Sequence, residues 1–247
     1  MRQLGSGPPL VLIHGWYADS FSNWEGAFAA LGDWHVIAVD LPGHGASPAP
    51  RPFSIGRCAL AVADVCDALG IGDAVVAGYS MGGPVAQLVA RDRPDLVGGL
   101  VMIATAARLL PSRVHGPLPV VGESVRLAFE AGRALTHALV TRSIRGHVLR
   151  LLGHSDRASI ARAARELARW DSRDWVGSLD VNAASIVTTH DHAVPPAAQE
   201  ELADLLRVRA DHRFEVAHGH LFCLEPEFGD VVRRAVECLG QSTTTQS

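Results

Sequence analysis

The chain has 247 residues, of which 48% are hydrophobic and 19% are charged. This composition is typical of a globular protein with one large core, and it excludes a disordered or fibrous chain. The formal net charge of −4 argues against nucleic acid as a partner, because nucleic-acid binders carry a basic excess that neutralises phosphates.

The sequence predicts a cytoplasmic protein. The first ten residues lack an apolar run followed by a small-residue cleavage site, and no stretch reaches the roughly 18 apolar residues of a membrane span. The cysteines show no C-x-x-C spacing and lie in apolar segments, which favours buried free thiols over disulfides or a metal site. They are Cys58, Cys66, Cys223 and Cys238.

Short apolar runs bounded by Gly, Pro or Asp predict six strands, at 10–15, 36–40, 74–80, 100–105, 183–189 and 213–217. Such runs, separated by helical patterns, are typical of a parallel sheet buried on both faces. The helical patterns cover Ser54 to Leu69, Met81 to Arg93, Pro195 to Leu206 and Pro226 to Leu239. We therefore predict an α/β fold with right-handed crossovers.

One long segment breaks this alternation. Residues 108–175 show helical periodicity only, so we predict a helical lid inserted into a core made of residues 1–107 and 176–247. The segment carries apolar side chains for an acyl-binding pocket, including Leu109, Phe129 and Leu139. It also holds 12 Arg and six acidic residues. This excess of positive charge either steers an anionic substrate or an acidic carrier protein to the site, or only places charged side chains on helix faces that contact water.

The turn Gly78-Tyr79-Ser80-Met81-Gly82 follows a predicted buried strand and opens a helix. In that context the pattern predicts a nucleophile elbow with Ser80 as the nucleophile. The turn is tight, and small residues at Gly78 and Gly82 avoid clashes with the crowded backbone. Tyr79 is expected to be structural.

A serine hydroxyl needs a base, and that base needs an acid that fixes its tautomer. His220 lies on the loop after the last predicted strand and is the favoured base, with His218 as the alternative. Asp191 follows the 183–189 strand at the same edge of the sheet and is the favoured acid, ahead of Asp180 and Asp40. The chain order Ser, Asp, His is that of the α/β-hydrolases.

Acyl transfer also needs donors for the developing oxyanion. The backbone amides of Met81 and Trp16 are the predicted donors, because one follows the nucleophile and the other follows Gly15 at the end of the first strand. His14 is expected to brace this loop by hydrogen bonds.

Several motifs together resemble the α/β-hydrolase superfamily over nearly the whole chain: H-G-W, V-D-L-P-G-H-G-A-S at 39–47, G-Y-S-M-G-G at 78–83, D-x-x-V-P at 191–195 and the final G-H-x-x-x-x-E. Within it, the chain resembles carboxylesterases that cleave pimeloyl-acyl-carrier-protein methyl ester, and a group of uncharacterised actinobacterial hydrolases. Only about nine residues precede the first buried strand, so the antiparallel strands that open many sheets of the superfamily must be short or absent.

The leading expectation is a carboxylic ester hydrolase that works through an acyl-enzyme on a small-molecule or carrier-bound ester, with no metal and no cofactor. The same residues also serve carbon–carbon bond hydrolysis, enol-lactone hydrolysis and perhydrolysis in relatives. A ligand receptor that has kept the fold without the activity is the third alternative.

Overall fold

The computed structural model describes residues 1–49, 52–109 and 157–240, and seven strands in these ranges form one sheet. They are β1 (Arg2–Leu4), β2 (Pro9–Ile13), β3 (His35–Val39), β4 (Ala74–Tyr79), β5 (Val97–Ile103), β6 (Asn182–Thr188) and β7 (Arg213–Val216). Their order across the sheet is β1-β3-β2-β4-β5-β6-β7. All neighbours are parallel except β1, which pairs antiparallel with β3. The predicted α/β fold and its six strands are confirmed, and β1 is a short opening strand of three residues.

Six α-helices lie in the described ranges: α1 (Glu25–Phe28), α2 (Ile55–Leu69), α3 (Gly82–Asp92), α4 (Arg157–Arg169), α5 (Pro196–Leu205) and α6 (Phe228–Gly240). The four predicted helices correspond to α2, α3, α5 and α6. Ser54 caps α2 by accepting the Arg57 N–H, and Gly70, with φ of 63°, ends that helix. None of the helices in the described ranges is long and apolar enough to cross a membrane.

The helices cover the sheet on both faces. Core residues of α2, α3, α4 and α5 pack on one face, and those of α1 and α6 pack on the other. Side chains alternate along β4, so Val76 belongs to the first core, whereas Ala77 and Tyr79 belong to the second. Consecutive residues at the end of β4 therefore serve opposite layers of the protein.

Hydrogen bonds join the two described flanks of the predicted lid to each other and to the core. Ser172 donates its backbone N–H to the Ala107 carbonyl at 2.9 Å, and its Oγ donates to Gln87 Oε1 on α3 at 2.6 Å. Residues 110–156, which make up most of the predicted lid, lie outside the described residues; α4 belongs to its returning end. All four cysteines are free thiols, of which Cys58 and Cys66 are buried.

His14 joins two loops at the carboxyl edge of the sheet. The Leu41 N–H donates to His14 Nε2 at 3.0 Å, so the ring proton is on Nδ1, which donates to the Gly15 carbonyl at 2.8 Å. Burial, together with the nearby His44 imidazole, lowers the pKa of His14 to about 3. The imidazole is therefore a neutral brace between the end of β2 and the chain after β3.

This brace predicts a specific loss of stability in acid. An unfolded imidazole binds a proton below its ordinary value of 6.5, whereas the folded His14 binds one only near pH 3. The unfolded state holds more protons between these values, so stability from this group is fully present above 6.5 and falls with pH by about 1.4 kcal/mol per pH unit. We expect His14→Gln and His14→Asn to lack this contribution in urea unfolding measured between about pH 7 and about pH 4.

The two variants control for each other. The Gln amide can still accept the Leu41 N–H, whereas the shorter Asn side chain reaches less far, so the variants should differ in stability at neutral pH. Both should nevertheless show the same reduced dependence on pH. A wild-type slope in either variant would contradict the buried neutral state of His14.

Candidate active site

Ser80 lies in a strained turn between β4 and α3. Its φ is 51°, in the left-handed region that non-glycine residues rarely occupy. The backbone on both sides is held in place: the Ser80 N–H donates to the Ile103 carbonyl at 2.9 Å, and Thr105 Oγ1 donates to the Ser80 carbonyl at 2.8 Å. The end of β5 and the loop that follows it therefore maintain the strained conformation of Ser80.

The flanking glycines are required by close backbone approach. A Cβ on Gly78 would lie 2.5 Å from the Gly82 carbonyl oxygen, and a Cβ on Gly82 would lie 2.3 Å from the Ile13 carbonyl oxygen. Both distances are shorter than real Cβ contacts, and the opposing atoms belong to the backbone, which cannot move aside. The sequence prediction of small residues at these positions agrees with this packing.

Three predicted side chains form a continuous hydrogen-bonded chain. Ser80 Oγ lies 3.0 Å from His220 Nε2, and His220 Nδ1 lies 2.9 Å from Asp191 Oδ2. His218, the alternative base, instead hydrogen-bonds Glu227 through its Nε2 and stacks on Phe222. The structure therefore brings His220, rather than His218, to Ser80.

Asp191 is buried, and both of its carboxylate oxygens accept hydrogen bonds. Oδ1 accepts the backbone N–H groups of Ala193 and Val194 at 2.8 and 2.9 Å, and Oδ2 accepts Thr188 Oγ1 as well as His220. Burial alone raises the pKa of this carboxyl, but the hydrogen bonds and charge of His220, with the bonds from Val194 and Thr188, outweigh it, and the net pKa lies below the ordinary value. Asp191 is ionised at neutral pH.

These contacts set the tautomer of His220. The ionised Asp191 only accepts, so His220 Nδ1 carries the proton and Nε2 presents a lone pair to the Ser80 hydroxyl. This arrangement can take the proton from Ser80 and can stabilise the resulting imidazolium. Its geometry is that of an activated nucleophile.

The predicted oxyanion donors lie on two segments next to Ser80. Gly15 is packed so closely that a Cβ there would lie 3.3 Å from Ser80 Cβ, and Trp16 follows it. Met81 is buried directly before α3, and among the described residues its N–H has no backbone acceptor. The N-terminal end of α3 adds its positive dipole at this point.

Three polar residues that support the site were missed from the sequence. Gln199 of α5 donates to Thr188 Oγ1 at 2.9 Å and accepts the Thr188 N–H, which orients Thr188 toward Asp191. Thr105 supports Ser80 in the same way from the end of β5. A buried threonine at the end of an apolar strand is the signal that was available.

The other predicted acids lie elsewhere. Asp40 accepts the backbone N–H groups of Ser20 and Ala46, and Asp180 is exposed before β6. In the described part of the chain, one group has the spacing of metal ligands: His218, Glu225 and Glu227, with ligand atoms within 4.8 Å of one another. Its two carboxylates are exposed, and such exposed acidic groups are common without a metal ion.

Known proteins provide an independent comparison. Residues 8–227 match the family described as alpha/beta hydrolase fold. A pimeloyl-[acyl-carrier protein] methyl ester esterase of Chromobacterium violaceum is 30% identical over 92% of this chain and 94% of its own. An uncharacterised protein of Mycobacterium tuberculosis is 34% identical over 68% of this chain and 55% of its own.

Among solved structures, the enol-lactonase from Burkholderia xenovorans superposes with a TM-score of 0.75 at 26% identity. The superposition covers 97% of this chain and 95% of the enol-lactonase. The sheet order, the strained turn after β4 and these matches agree with one another. The chain belongs to the alpha/beta hydrolase fold family.

Proposed function

We propose that the protein hydrolyses a carboxylic ester through an acyl-enzyme formed on Ser80. The observation that carries this proposal is the hydrogen-bonded chain from Ser80 through His220 to the buried Asp191, with both links at or below 3.0 Å. A buried carboxylate on one side and a strained, preorganised hydroxyl on the other are the requirements of this chemistry.

The steps follow from the geometry. Ser80 Oγ attacks the ester carbonyl carbon while His220 Nε2 takes the hydroxyl proton, and Asp191 stabilises the imidazolium. The amides of Trp16 and Met81 donate to the oxyanion of the tetrahedral intermediate. His220 then protonates the leaving alcohol. Water, deprotonated by the same imidazole, releases the acid and restores Ser80.

Substitution of the proposed residues tests the assignment. We expect Ser80→Ala and His220→Ala to lower turnover of p-nitrophenyl esters by at least about 1000-fold, because each removes a member of one catalytic unit. His218→Ala should cost far less, since His218 contacts Glu227 rather than Ser80. Pre-steady-state kinetics of the wild type should show a burst of about one product per active site.

Three outcomes would contradict the proposal or one of its assignments. Retained turnover in Ser80→Ala would exclude Ser80 as the nucleophile. A larger loss of turnover in His218→Ala than in His220→Ala would make His218, rather than His220, the base. A receptor that has only kept the fold would give no burst in the wild type.

The substrate that we propose is an ester carried on an acidic partner such as acyl carrier protein. The Chromobacterium violaceum relative is named for such a substrate, and the segment 108–175 has a net charge of +6 from 12 Arg and six acids. Of these arginines, Arg165 is exposed on α4. A patch of one sign raises the encounter rate with a partner of the opposite sign.

Salt and charge variants test this substrate. We expect kcat/KM for pimeloyl-acyl-carrier-protein methyl ester to fall steeply as salt rises from about 0.05 M to about 0.5 M, whereas that for dimethyl pimelate should change little. Arg165→Gln should weaken the carrier-bound reaction only. Arg209→Gln is the matched control, because Arg209 is also exposed but precedes β7, at the opposite edge of the sheet from Ser80. Equal salt dependence for both substrates would exclude a carrier protein.

Lactone opening is the second candidate, favoured by the likeness to the enol-lactonase. A lactone is a cyclic ester, so the same attack by Ser80 on the carbonyl carbon applies. Comparison of an enol-lactone with linear esters of the same acyl length distinguishes the two, since the preferred substrate will have the higher kcat/KM.

A further inference from the structure

The hydroxyl of Tyr79 contacts the backbone of the loop that carries His220. Tyr79 is the last residue of β4, directly before Ser80. Its OH donates to the His220 carbonyl at 2.6 Å and accepts the Cys223 N–H at 3.3 Å. A residue next to the proposed nucleophile therefore holds the main chain of the proposed base, 141 positions away in the sequence.

The alternation of side chains along β4 makes this contact possible. Tyr79 points to the face of the sheet covered by α6, whereas the chain after Ser80 turns into α3 on the opposite face. The loop between β7 and α6 contributes Phe222 to the same core as Tyr79. Tyr79 thus contacts this loop from within that core.

The ring of Tyr79 is rigidly packed. Trp24 and Phe228 meet it edge-on, with ring centroids at 6.3 and 6.0 Å, and the residue is 3% exposed. Burial raises the pKa of its phenol well above the ordinary value, so the hydroxyl keeps the proton that it donates. The ring cannot move and the hydroxyl stays protonated, so the Tyr79 OH occupies a fixed position from which it can hold the loop.

The rest of this loop is held from its other side. The His190 N–H donates to the His218 carbonyl at 3.0 Å, and the Asp191 carboxylate holds the His220 imidazole. Tyr79 supplies the bond at the carbonyl of His220 itself. Without the bond from Tyr79, Asp191 would still hold the His220 imidazole at Nδ1. The nearest backbone bond to the neighbouring segment would then be the one at His218, two residues upstream.

We propose that Tyr79 is a positioning residue, which fixes the backbone of His220 so that the imidazole stays in line between Asp191 and Ser80. The inference rests on the proposed function and deepens it: the residue before the nucleophile sets the placement of the base. The sequence analysis expects Tyr79 to be structural, and the proposal adds a positioning role to that expectation.

Tyr79→Phe tests this role, because it removes the hydroxyl and keeps the ring. We expect kcat to fall about 10- to 100-fold with little change in KM, since small misplacement of a catalytic group slows the chemical step without weakening substrate binding.

Phe228→Leu is the matched control. Phe228 packs on the Tyr79 ring from α6, so its replacement weakens the same core but leaves the hydroxyl and both of its bonds. We expect this variant to lower the unfolding temperature and to leave kcat and KM close to the wild-type values. The two variants separate positioning from stability.

Labelling with a fluorophosphonate distinguishes failure of this inference from failure of the proposed function. If the wild type is not labelled at Ser80, the proposed function fails. If the wild type is labelled and folded Tyr79→Phe reacts at the same rate, with an unchanged kcat, the proposed function stands and the positioning role is excluded. Slower labelling, with near-ultraviolet circular dichroism like that of the wild type, supports the role.

Discussion

Parallel pairing of β2, β4, β5, β6 and β7 is the constraint on which the candidate site depends. Parallel strands bring all their carboxyl ends to one edge of the sheet. Residues far apart in the chain therefore meet there: Gly15 after β2, Ser80 after β4, Asp191 after β6 and His220 after β7. No single loop contains the site, so the relative positions of its residues depend on the register of the strands.

Strain and charge are concentrated at this edge, and the surrounding backbone supports both. A left-handed serine costs about 1–3 kcal/mol, and the bonds from Thr105 and to Ile103 oppose its relaxation. A buried carboxylate is costly without partners, and Asp191 has four donors. Ile103 and Thr188 are the last residues of β5 and β6, and the other stabilising groups lie in loops that follow a strand. Both features persist because the strand ends hold these loops in place.

Much of this arrangement could be predicted from the sequence, because apolar runs define strands and the Gly-x-Ser-x-Gly turn has strict steric requirements. His220 and His218 could only be ranked, since only Gly219 separates them and their directions depend on contacts with Asp191 and Glu227. The support from Gln199 and the contact of Tyr79 with His220 depend on side-chain geometry between distant elements, which no local pattern encodes. The short strand β1 lacks the apolar run by which the others are found.

The bond between Ala107 and Ser172 has a consequence for how such a protein can change over evolution. The core itself holds the two ends of the intervening segment together, and the entropy cost of closing a loop grows only slowly with its length. Segments of different length and composition can therefore be exchanged between these two anchor points while β5, α3 and the turn at Ser80 keep their structure. These two positions are the natural junctions for chimeras.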